Sequence, residues 1–65
     1  MNVKVIVYNG NKYWKNVGVV AEVIYNNIIG YEIINQEDDD DYLIITLSNG
    51  DTATFYNSHV DLFRI

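Results

Sequence analysis

The sequence contains no cysteine, no proline and only four lysine and arginine residues among 65. Without cysteine there is neither a disulfide framework nor a thiolate metal site, and nothing requires an oxidising compartment; a reducing, cytoplasmic setting is the expectation. Without proline, one common guard of an exposed sheet edge is missing, so edges must be blunted by charge, twist or pairing. Four cations against nine carboxylates give a formal charge of −5. That is too little positive charge for the groove that supplies most nucleic-acid affinity, so no nucleic-acid partner is expected. Long apolar runs are also lacking. Val3 to Tyr8 is interrupted by Lys4 and stops at Asn9-Gly10, and no stretch approaches the roughly 20 apolar residues of a membrane span, so neither a signal peptide nor membrane insertion is expected.

What the sequence has in quantity is strand chemistry. Eight Val, nine Ile, three Thr, six Tyr, two Phe and one Trp dominate, while Ala, Leu, Lys and Glu are scarce. β-branched and aromatic side chains suit a pleated, half-buried surface and lose rotamer freedom in a helix. A chain of 65 residues is enough for one domain. It buries only about 60% of its unfolded surface, and its core supplies about 3–5 kcal/mol before staples or partners are added. With half the sequence apolar and no staple available, association with a second copy is the remaining route to stability, and a homodimer is expected.

Periodicity and turn signals divide the chain into short strands. Val3, Val5 and Val7 alternate with Lys4, Ile6 and Tyr8 up to Asn9-Gly10, which predicts a type I′ turn and a short return arm over residues 11–15. Residues 17–25 alternate again, Asn26-Asn27 offers a second tight turn, and residues 28–35 supply the return strand with a bulge or close approach at Gly30. Gln36 to Asp41 is plainly not strand: five successive carboxylates, Glu37 to Asp41, repel one another and read as a solvated loop. Residues 42–47 alternate around Leu43, Ile45 and Leu47, and Asn49-Gly50 gives the strongest hairpin signal in the chain. Thr52 to Tyr56 is its second arm, Asn57-Ser58-His59 a turn or one 3₁₀ turn, and Val60 to Ile65 a last strand.

The closing order of hairpin, five-residue strand, brief 3₁₀-like turn and final strand, over roughly Tyr42 to Ile65, resembles the end of SH3-like barrels. The likeness is topological and implies a fold, not a function, since that architecture carries many unrelated activities. The expected architecture is therefore all-β: one domain over residues 1–65, a barrel or sandwich of five to six short antiparallel strands joined as a meander of hairpins, SH3-like barrel favoured, with an acidic loop at 36–41.

Few residues point to chemistry. Calcium loops interleave carboxylates with glycine and end in a distant bidentate Glu; the run Glu37-Asp38-Asp39-Asp40-Asp41 has neither spacer nor glycine, so no metal is expected. The single histidine, His59, has Ser58, Asp61 and Asp51 near it in sequence, but adjacent residues of a turn point apart and do not form a nucleophile–base–orienter line. Glu22 and Glu32 would face each other across a 17–25/28–35 hairpin as a like-charged pair on a polar face. No phosphate loop, nucleophile elbow or zinc spacing occurs, and neither catalysis nor a cofactor is expected.

Two features suit a binding surface. One is the acidic stretch Asp38, Asp39, Asp40 and Asp41, able to steer a basic protein over a Debye length of about 8–10 Å. The other is Tyr13-Trp14 flanked by Lys12 and Lys15, an aromatic pair of the type that anchors interfaces. Strands apolar on both faces add to this, because so small a domain cannot cover both. The combination of small size, acidity and A+T-favoured residues resembles in style the accessory proteins of phages and mobile elements that block a host or defence protein. Such a non-catalytic, host-protein-binding role is the expected function; an assembly module, or a small-ligand binder with its site at a dimer interface, are the alternatives.

Overall fold

The computed structural model describes residues 1–65 and contains six strands and one 3₁₀ turn: β1 (Val3–Tyr8), β2 (Val19–Tyr25), β3 (Gly30–Ile34), β4 (Tyr42–Thr46), β5 (Thr52–Tyr56), the 3₁₀ turn Asn57–His59, and β6 (Val60–Arg64). They form two three-stranded antiparallel sheets, ordered β2-β1-β6 and β3-β4-β5. No helix is long and apolar enough to cross a membrane.

The period-two alternation decides which side chains meet between the sheets. Val3 and Val5 of β1, Val60 of β6, Leu43 and Ile45 of β4, and Ile28 from the β2–β3 connection are the buried core. Val7, Tyr25, Leu47, Ala53, Phe55 and Leu62 pack around them. Tyr25 and Phe55 meet edge-on across the sheets with ring centroids 6.5 Å apart, a favourable aromatic geometry. The radius of gyration is 12.1 Å, above the ~11 Å of a compact chain of this length. The two sheets do not close into a barrel; the all-β class and the short antiparallel strands are as expected.

The connections depart from the simple meander at two places. Asn9-Gly10 is not a type I′ turn, and residues 11–15 do not return as a strand. Instead residues 9–18 form one loop between β1 and β2. Its base is closed twice by Asn9, whose amide donates to the Gly18 carbonyl at 3.0 Å and whose Oδ1 accepts from the Gly18 amide at 3.0 Å. Asn26-Asn27 does place one residue in the left-handed region, Asn27 at φ 56°, but the chain does not fold back there. Ile28 donates to Met1 O at 2.9 Å, on the first sheet, and Ile29 to Thr46 O at 2.9 Å, on the second. The connection thus carries the chain from one sheet to the other, and Glu22 and Glu32, expected to face each other, lie in different sheets. A Cβ built on Gly30 meets nothing within 4 Å, so no close approach explains that glycine.

The β4–β5 hairpin is present, one residue out of the expected phase. Gly50 N donates to Leu47 O at 3.0 Å and Leu47 N to Asp51 O at 2.8 Å, while Gly50 alone in the turn has positive φ, at 90°. A turn followed by one left-handed glycine is the bulged form of hairpin connection. A β-branched residue at Gly50 would be strained there as it would in the type I′ form.

Candidate functional site

Three segments distant in sequence meet at one end of the sandwich. Lys12 N, in the 9–18 loop, donates to Ser58 O at 2.7 Å, and Asn57 N donates to Asp41 O at 2.8 Å. Ser58 Oγ donates to Asp40 Oδ2, and Gln36 Nε2 donates to Asp40 O at 2.6 Å. The 3₁₀ turn is therefore clamped between the 9–18 loop and the acidic loop. Asp40 and Asp41 are half-buried, whereas Glu37, Asp38 and Asp39 are exposed. This corrects the reading of residues 36–41 as uniformly solvated: part of the run is structural.

Beside this junction the outer face of the second sheet carries three rings. The β4–β5 register places Tyr42 opposite Tyr56, and their rings stack at 5.3 Å between centroids. His59 lies 5.7 Å from Tyr56. The Tyr42 hydroxyl, by hydrogen bonding and then by charge, raises the Tyr56 phenol above its usual range, and the Asp39 and Asp40 carboxylates add to the rise. Tyr56 thus sits in a negative field, which favours a cation over its exposed ring. Sequence reasoning missed Tyr42, Tyr56 and His59 as a group. Counting outward from a two-residue Asn49-Gly50 turn would have paired Tyr42 with Asn57; the one-residue shift at Gly50 brings Tyr42 opposite Tyr56 instead, and nothing in the sequence placed His59 against them.

The expected aromatic pair is on the surface. Tyr13 is 79% and Trp14 67% exposed. A Cβ on Gly10 would stand 3.5 Å from the Trp14 ring, so the indole lies over the glycine with its other face open. Lys12 Nζ is 5.5 Å from the centre of the Tyr13 ring. The loop that carries both rings is the one joined to Ser58, so Tyr13, Trp14 and the Tyr42–Tyr56–His59 group flank the same 3₁₀ turn.

The polar neighbours of His59 do not assemble into a triad. Ser58 Oγ is bonded to Asp40, Asp51 is engaged by Asn49, and Asp61 belongs to a separate network. There Tyr8 donates its hydroxyl to Asp61 Oδ2 at 2.6 Å, and Lys12 Nζ donates to Asp61 Oδ1 at 3.0 Å and to Val60 O at 2.9 Å. The Tyr8 hydrogen bond, then that of Lys12, holds the Asp61 carboxyl below its usual 3.8 against an opposing effect of burial. The bond to Asp61 likewise raises Tyr8 above 10.0. A lowered acid stabilises the fold above its unfolded-state pKa and loses that contribution as pH falls through the lower folded value; a raised tyrosine stabilises below its unfolded-state pKa and loses it as pH rises through the raised one. The destabilisation caused by Asp61→Asn is therefore expected to be greatest between roughly pH 4 and pH 10 and to shrink on both sides. Denaturation midpoints of both proteins across pH measure it, and a pH-independent difference would disprove the linkage.

No three His, Asp or Glu side chains converge as a metal site. The structure's cleft, of about 310 Å³, lies between the sheets and is lined by residues of β3, β4 and β6 with Lys12 and Asn57. No family model, no curated protein and no solved structure matches the chain.

Proposed function

We propose that the chain is a non-catalytic binding module that captures a basic segment of another protein at the loop end built around the 3₁₀ turn. The observation that carries this reading is the convergence of rings and carboxylates there: exposed Tyr56, with half-buried Tyr42 and His59, beside Asp39 and Asp40, and exposed Tyr13 and Trp14 on the adjoining loop. Aromatic faces in a negative field attract ammonium and guanidinium groups, and an indole held on a tethered loop is a fitting anchor. Asp38 and Asp39 are exposed and free to steer the approach; Asp40 and Asp41 shape the loop.

In this reading the domain is a splayed SH3-like barrel, a view supported by the sheet change at Asn27 and the 3₁₀ corner before β6. Its size and charge suit a phage or mobile-element protein that blocks a host protein in the cytoplasm. Immobilised wild-type protein is expected to retain a basic protein from cell lysate that a Trp14→Ala/Tyr56→Ala variant of unchanged melting temperature does not retain. Equal retention by both would overturn the assignment.

A second reading, homodimerisation, is favoured by the outer face of the first sheet, where exposed Ile24 and Phe63 flank Lys4 in one cross-strand row. A concentration-independent monomer mass in sedimentation would remove it.

A further inference from the structure

The cleft between the sheets has the lining of a strand-docking site. Its floor is apolar: Tyr31 and Ile33 on the inner side of β3, next to Leu43. Leu43 is 2% exposed and its neighbour Ile45 0%, yet Ile33 and Tyr31, directly across from them in register, are 52% and 40% exposed. The first sheet thus covers β4 and stops short of β3. Its wall is β6, from which three consecutive residues, Val60, Asp61 and Leu62, reach the cleft. Successive side chains of a strand point to opposite faces, so contact with all three means that β6 meets the cleft edge-on.

The hydrogen bonds of β6 identify what that edge offers. Ile65 N donates to Asn2 O at 3.0 Å, and the β1–β6 register pairs Lys4 with Phe63 and Ile6 with Asp61. Opposite residues of an antiparallel pair alternate between bonded and unbonded. Phe63 and Asp61 therefore bond to β1, and the amides and carbonyls of Val60, Leu62 and Arg64 face outward. Those of Val60 are occupied: its N–H donates to Asn57 O, and its carbonyl accepts from Lys12 Nζ at 2.9 Å. The N–H and C=O of Leu62 and Arg64 remain for another strand.

We infer that this edge accepts an extended, basic segment of a partner protein. That segment adds as a further strand beside β6 and lays alternate apolar side chains over Tyr31 and Ile33. Charge selects the occupant: the protein carries −5, and the acidic loop is joined to the 3₁₀ turn next to the edge, while within the cleft Asp61 is neutralised by Lys12. A second copy would bring like charge to the same edge. Lys12 marks one end of the added strand by holding the Val60 carbonyl. The site is distinct from the ring cluster on the outer face of the second sheet and does not depend on it.

The test is amide hydrogen exchange, followed by NMR, with a short peptide alternating valine and lysine as probe. Strand addition gives its affinity through main-chain hydrogen bonds, so exchange at Leu62 and Arg64 is expected to slow about tenfold or more when the peptide saturates the protein. A peptide of the same sequence and charge, N-methylated at alternate residues, is expected to give no protection. Ile33→Ser is expected to weaken binding of the parent peptide several-fold, and Tyr56→Ala to leave the protection unchanged. Equal protection by the N-methylated peptide, or protection confined to β2, β3 or β5, would overturn the inference. So would protection of Leu62 and Arg64 that grows with protein concentration when no peptide is present, since a second copy would then hold the edge.

Discussion

Ile45→Ala is expected to leave most of the protein unfolded at 25 °C. Ile45 is fully buried and belongs to a core of six side chains, Val3, Val5, Ile28, Leu43, Ile45 and Val60. Truncating a buried isoleucine to alanine costs about 2–5 kcal/mol, because the transfer energy of the lost methylenes is joined by that of a cavity the walls cannot close. A core in a domain this small supplies only about 3–5 kcal/mol in total. The two figures are of the same size, so a single truncation removes most of the margin. Ile45→Val, which leaves a smaller void, is expected to cost about 1 kcal/mol and to keep the fold. Ile29→Ala is the contrast: Ile29, just before β3, is 67% exposed, and its truncation should change stability by no more than about 0.5 kcal/mol. Far-UV circular dichroism with urea titration of the three variants decides the matter. A cooperative Ile45→Ala transition near the wild-type midpoint would show that the core is held by something other than these contacts.

The strands were legible because period-two alternation directly encodes which side chains face inward. Val3 and Val5, and Leu43 and Ile45, share faces as the alternation set them and are buried. The connections were less legible, because a turn dipeptide reports a local φ preference and not the direction in which the chain leaves. Asn9-Gly10 and Asn49-Gly50 are identical dipeptides. One lies in a ten-residue loop fastened by the Asn9 side chain, and the other closes a bulged hairpin. At Asn26-Asn27 the left-handed residue was anticipated, but hydrogen bonds from Ile28 and Ile29 to different sheets send the chain across instead of back. The same limit applies to the site. Exposure of Tyr13 and Trp14 followed from their place in a polar stretch. The bond from Ser58 to Asp40 joins residues 18 apart and made a structural element of what reads locally as a repelling charge run. The Tyr42–Tyr56 stack follows from the bulged register, one residue off the one the Asn49-Gly50 dipeptide signals, and the approach of His59 depends on the 3₁₀ turn that the acidic loop holds in place.

For the captured basic partner, Trp14→Ala is expected to weaken binding by about 2 kcal/mol or more, roughly a thirtyfold rise in dissociation constant, carried mainly by faster dissociation. The fold should not suffer, because Trp14 is 67% exposed and outside the core; an unchanged melting temperature is part of the expected result. Replacing Asp38 and Asp39 with Asn should act differently. Both are exposed, so their attraction is screened by solvent and salt, and their loss should slow association several-fold at low ionic strength while leaving dissociation nearly constant. Asp40 is unsuitable for the same experiment, because it holds Ser58 and its removal would move the 3₁₀ turn and His59 with it. Tyr56→Ala separates the two contributions further: its ring stacks on Tyr42 and lies beside His59, so its loss removes a cation-binding face without changing the charge that steers the approach. Surface plasmon resonance at low and high salt resolves the rate constants of each variant. If Trp14→Ala dissociates at the wild-type rate and the Asp38/Asp39 variant loses binding even at high salt, the anchor is the acidic loop and the aromatic assignment is wrong.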